Sequence, residues 1–173
     1  MRNSILAFKK KAQQILGMSF GVIFSILLII FFIIIAGIVI SHFLRVQDCT
    51  KTGIFIDNLK KDIDKTWNSQ IDSHPFTGNL PGKIEYVCFA DLTKSSKGNF
   101  KDFFGDFSLY EGREANLFFY PSASACEMPY QNILHIDMEK MVQNQNPFCI
   151  GVKSGKISIK VDKSLNNPLV RLS

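Results

Sequence analysis

Four cysteines, Cys49, Cys88, Cys126 and Cys149, are the residues of this chain best suited to covalent chemistry. All four follow a long apolar run and none precedes it. An even number of cysteines confined to one side of such a run fits two disulfides in an oxidising compartment, each closing a long loop and restricting the unfolded chain. The intervals between them contain no C-x-x-C, which removes the common zinc-ribbon and thioredoxin-type signatures. Of the three possible pairings, nearness in sequence favours Cys49 with Cys88 and Cys126 with Cys149.

Other chemistries compete for the same residues. Cys126 and Glu127 with His135 and Asp137 can be written as a thiol nucleophile, a base and an orienting carboxylate. A disulfide would consume that thiol, and a His and an Asp two apart on a strand are commonly surface neighbours. A zinc site built on His74 or His135 needs ligands gathered from distant segments. G-x-S-x-G, H-E-x-x-H, Walker-type and G-x-G-x-x-G motifs do not occur, and neither does the N-x-[ST] sequon. The sequence therefore predicts no enzyme, no metal and no cofactor.

The elements that position these residues hang from residues 16–44, which carry no formal charge and are dominated by Ile, Leu, Val and Phe. About 20 apolar residues cross a bilayer, so a helix over this longer run should tilt or protrude. A core helix of this character is disfavoured, because 173 residues leave too little protein to cover it on every side. The apolar region of a cleavable secretory signal is also shorter, about 7–15 residues. The net charge of +5 is largely explained by Arg2, Lys9, Lys10 and Lys11, which precede the run with no acidic residue among them. Such flanks orient membrane helices, so the N-terminus is expected in the cytoplasm and Gln47 onward outside, with a lipid bilayer and not a nucleic acid as partner. The organisation read from this is a basic segment at 1–14, a transmembrane helix at 15–44 and one extracytoplasmic domain at 45–173. Within the helix Gly17, Gly21 and Ser25 recur every four residues, as do Gly37 and Ser41, a spacing that lets membrane helices approach closely and self-associate. His42 falls at the outer boundary.

Beyond the run, Phe55, Leu59, Ile63 and Trp67 form a helical stripe, with Asp57, Lys60, Lys61, Asp62 and Asp64 elsewhere on the wheel. Thr50, Thr52 and Gly53 either break this helix from the membrane segment or are absorbed into one helix reaching about Ser69. Residues 72–82, with His74-Pro75, Gly78, Pro81 and Gly82, read as a turn region. Strands are expected at 83–92, 115–120, 132–138, 148–153 and 156–162, the last two joined by a Ser154-Gly155 hairpin turn, with a further strand at 169–172. Phe100, Phe103, Phe104, Phe107 and Tyr110 fit a short helix lying on the sheet, with an aromatic ligand surface as the sharper alternative. The fold class is α+β, with helices followed by a mainly antiparallel sheet.

The stretch Lys9-Lys10-Lys11-Ala12-Gln13-Gln14, leading into the hydrophobic helix, resembles the start of archaeal type IV pilins. The resemblance covers residues 9–44. It implies cleavage by a prepilin peptidase between Ala12 and Gln13, then assembly through the hydrophobic helix. Gly17 stands at the fifth position of that mature chain, where such pilins commonly carry Glu, and Ile15 stands where Ser is frequent. The expected function is a single-pass membrane-anchored protein of pilin-like, structural type. The alternative is a membrane-tethered module that binds a ligand or partner protein outside.

Overall fold

A computed structural model describes residues 20–173 with their side chains, and residues 2–19 only as part of the first helix. The chain divides into two compact units, Met1–Arg45 and Val46–Ser173. Helix α1 spans Arg2–Trp67, so Thr50, Thr52 and Gly53 are absorbed into it. In the first unit its described side chains are all exposed.

In the second unit the helix becomes amphipathic, and Phe55, Leu59 and Ile63 are buried while Trp67 is partly exposed. The helix stops where Asn68 turns both its backbone N–H and its side-chain amide onto the Asp64 carbonyl, at 3.1 and 2.7 Å. These contacts occupy acceptors that a helix end otherwise leaves open.

Two antiparallel sheets complete the α+β fold. One has the order β1 (Asp72–Asn79), β6 (Lys156–Lys163), β7 (Arg171–Leu172); the other has the order β4 (Tyr130–Gln131), β3 (Leu117–Tyr120), β2 (Tyr86–Phe89), β5 (Phe148–Gly151). No barrel closes. The inner faces of both sheets and the stripe of α1 share one core, in which Val87, Phe89, Leu117 and Phe119 meet Phe76, Ile157, Ile159 and Val161. The alternation read from residues 83–92 holds. Its other face is also covered, because Cys88, Ala90 and Phe118 lie beneath Phe107 in a second, smaller core.

Three segments differ from the sequence reading. Residues 72–82 were expected to be turns, yet Asp72–Asn79 is an eight-residue strand paired along its whole length with β6. Pro75 is tolerated because β1 is an edge strand and its partner Lys160 directs both backbone groups to Ser173 on the opposite side, so no ladder bond needs a Pro75 N–H. Gly78 is fixed by close approach, since a Cβ there would stand 2.4 Å from the Phe55 ring. The strand expected at 132–138 does not form. Its backbone is satisfied piecemeal instead: Asn116 accepts from the Ile133 N–H and donates to its carbonyl, both at 2.8 Å, and His135 adopts φ 64° before α3 (Met138–Met141) begins. The third difference concerns the final hairpin. Ser154 and Gly155 make the two-residue turn, at φ 52° and 71°, but the arms leave it for different sheets.

Candidate functional site

The cysteines form two disulfides, Cys49–Cys126 and Cys88–Cys149. The pairing expected from nearness in sequence is therefore incorrect. Cys88 and Cys149 face each other in register on β2 and β5, strands that are neighbours in space although β3 and β4 intervene in the chain. Cys49 on α1 meets Cys126, which follows the 3-10 turn Ser122–Ala125 and turns the chain at φ 59°. Fold topology, and not loop length, chose the partners.

This pairing dissolves the nucleophile written from the sequence. Cys126 has no free thiol, and His135 and Asp137 are committed elsewhere. The His135 ring stacks on Trp67 at 3.8 Å between centroids and 12° between planes, with Nε2 3.9 Å from Asp64. Lys163 places its ammonium 5.9 Å from the same indole and donates to the Trp67 carbonyl. Asp137 caps α3 by accepting from the Lys140 N–H. Burial pushes its carboxyl up, but hydrogen bonds from Asn167 and Lys140 outweigh burial and hold it below the usual carboxylate range. Among the described residues, no three His, Cys, Asp or Glu side chains converge on a metal-sized point.

A titratable constellation that the sequence reading missed joins α1 to β1. His74 directs Nε2 to Asp62 at 2.9 Å and Nδ1 to Asp72 at 3.2 Å. The hydrogen bond with Asp62 is the largest influence and raises the His74 pKa above its ordinary 6.5; partial burial opposes it, and Asp72 reinforces it. The Asp72/His74 spacing was visible in the sequence. Asp62 could be added only once α1 was laid beside the strand. Because the folded pKa is raised, the stabilisation is fully present below pH 6.5 and disappears as pH climbs through the elevated value. We expect the Tm of the full chain in detergent to fall by about 2–4 °C across that window, given a partly exposed pair worth about 0.5–1 kcal/mol. In His74→Gln the step should vanish; an unchanged step would assign the pH dependence to other groups.

The aromatic segment is used by the fold. Phe103, at the end of the 3-10 turn Lys101–Phe103, stacks on Tyr120 at 3.8 Å. In α2 (Phe104–Ser108), Phe107 stacks on Phe118 at 4.8 Å, and Tyr110 lies 4.8 Å from Tyr130. Phe103, Phe107 and Tyr110 roof the second core, as the short-helix reading expected, while Phe100 and Phe104 stay half-buried outside it.

On the apolar part of α1, Ser25 and Ser41 donate to the carbonyls of Gly21 and Gly37 at 2.8 and 2.9 Å, so neither hydroxyl asks for water. No other group lies within 4 Å of a Cβ built on Gly21 or Gly37. Ala12, Gln13 and Gly17 fall outside the residues whose side chains are described.

These features define a class: a helix long and apolar enough to cross a membrane, joined to a disulfide-bonded α+β domain. No family model, curated protein or solved structure matches the chain.

Proposed function

We propose that the chain is a single-pass, membrane-anchored subunit of pilin-like type, with its N-terminus in the cytoplasm and Val46–Ser173 outside. The observation that carries this reading is the dual use of α1. Residues 20–47 expose every side chain, while Phe55, Leu59 and Ile63 of the same helix sit in the core of the sheet domain. A helix that is apolar and uncovered at one end and structural at the other suits a subunit held first by lipid and then by copies of itself. The two disulfides support an oxidising location for the domain, and the basic flank supports the orientation. The open clefts at one end of the β1/β6 pair favour a second reading, a tethered binding module that stays in the bilayer.

Processing separates the two. The intact mass of the protein from native membranes should correspond to a chain that starts at Gln13 and carries two disulfides. A full-length mass would overturn the pilin-like reading and leave the tethered module.

A further inference from the structure

The Val46–Ser173 unit is electrically balanced as a whole, since Arg2, Lys9, Lys10, Lys11 and Arg45 account for the entire +5 of the chain. Its charges are nevertheless sorted. The outward-facing positions of β6 are Lys156, Ser158, Lys160 and Asp162, and opposite them on β1 stand Asn79, Thr77, Pro75 and Ser73. Lys153 precedes the turn into the strand. Lys51, Lys61, Lys94 and Lys140 each lie within 3.8 Å of a carboxylate; Lys153, Lys156 and Lys160, like six other lysines of the unit, make no ion pair among the described residues, and what sets these three apart is their grouping on the outward face of β6 and the turn that leads into it. Asp162 is faced in register by Arg171 on β7, and the Glu85 carbonyl accepts from the Val152 N–H next to Lys153. No other acidic residue adjoins the three lysines in sequence or register.

Two clefts open at this end of the sheet, of about 710 and 500 Å³, and they share Thr77, Gly78, Asn79 and Lys156. Lys153 and Ser158 line the first; Lys51 and Asn58 line the second. Neither lining contains a carboxylate, and the one aromatic ring among them is the buried Phe55. Same-face positions on a strand repeat at about 6.6 Å, so Lys156, Ser158 and Lys160 present cation, hydroxyl and cation in a row.

We propose that this end of the β1/β6 sheet binds an extended phosphate polymer that has no stacking bases. Lysine recognises phosphate as a point charge, while Thr77, Ser158 and Asn79 supply neutral donors between the charges. Neither lining contributes an exposed ring, which disfavours single-stranded nucleic acid, whose binding leans on base stacking. With the unit neutral overall, attraction comes from the local field of this cluster and is sensitive to salt. The proposal stands under either reading of the whole protein.

The test uses the full chain in nanodiscs of zwitterionic lipid with fluorescently labelled long-chain polyphosphate as probe. The triple variant Lys153→Gln/Lys156→Gln/Lys160→Gln should lose at least tenfold in affinity, and its log–log salt slope should become shallower by about 2, the value for three lost phosphate contacts. Lys9→Gln/Lys10→Gln/Lys11→Gln and Lys65→Gln/Lys97→Gln/Lys101→Gln should each bind within about twofold of the unmodified chain. Exposed Lys→Gln changes leave folding intact to about 0.5 kcal/mol, which unchanged thermal unfolding of each variant would verify. Three outcomes would overturn the site: undiminished binding by the β6 triple, equal loss in either control triple, or tighter binding of single-stranded or duplex DNA than of polyphosphate at the same salt.

Discussion

Phe55→Ala is expected to remove about 3–5 kcal/mol from the stability of the Val46–Ser173 unit, the usual range for truncating a buried phenylalanine. Phe55 is 1% exposed. Its ring meets Phe76 of β1 edge-on at 5.8 Å and Phe119 of β3 at 6.0 Å, so one side chain on α1 touches both sheets. Truncation removes apolar contact and opens a cavity bounded by two sheets that cannot both move inward, which places the cost toward the upper end of the range. Chemical unfolding of the full chain in detergent, followed by the single Trp67, would measure it; a loss under 1 kcal/mol would contradict the geometry. Gly78 offers a check from the opposite direction. A Cβ at that position stands 2.4 Å from the Phe55 ring, so Gly78→Ala should destabilise the unmodified chain and cost much less beside Phe55→Ala.

The contrast between Phe55 and Gly78 shows which parts of the fold were legible. The stripe Phe55, Leu59, Ile63 and Trp67 was readable because helical periodicity depends only on positions along one chain; the first three are buried, while Trp67, at the helix end, is exposed. The alternation at Tyr86–Phe89 and Lys156–Lys163 was readable for the same reason. The strand at Asp72–Asn79 was hidden because Pro and Gly are local turn formers, while what licenses them there is distant: Lys160 turning its backbone toward Ser173, and the Phe55 ring crossing above Gly78. Residues 132–138 failed in the opposite sense. Their alternation mimicked a strand, but the Asn116 side chain takes the place of a neighbouring backbone and no ladder follows.

The candidate site follows the same division. That the cysteines would form two bridges was legible from their number and their position after the apolar run. The partners were not, because they are set by which strands become neighbours. The His74 clamp likewise needed Asp62, a residue on α1 whose position against β1 is a product of packing. The lysines of β6 were each visible as outward positions of an amphipathic strand. Their grouping with Thr77 and Asn79 required the register between β1 and β6, which a sequence cannot state.

Loss of the Cys49–Cys126 bridge is expected to have an effect comparable to loss of Phe55. The bridged residues are 77 apart in sequence, and closing a loop of that length restricts the unfolded chain by about 4.5 kcal/mol on the chain-entropy account. The location of the bridge should decide how the loss is expressed. Cys88 and Cys149 lie inside a ladder that β2 and β5 maintain through their own backbone pairing, so their neighbourhood keeps its register when the sulfurs are removed. Cys49 and Cys126 have no such ladder: one lies on α1 and the other follows a 3-10 turn. The Cys49→Ser/Cys126→Ser variant should therefore lose about 2–5 kcal/mol globally, and hydrogen exchange should rise around residues 46–53 and 122–128 before it rises in β2 or β3. The Cys88→Ser/Cys149→Ser variant should lose a similar amount without that local opening. Exchange that rises equally in all four regions of the first variant would mean that the bridge constrains only the unfolded chain, and that the contact between α1 and the turn persists without it.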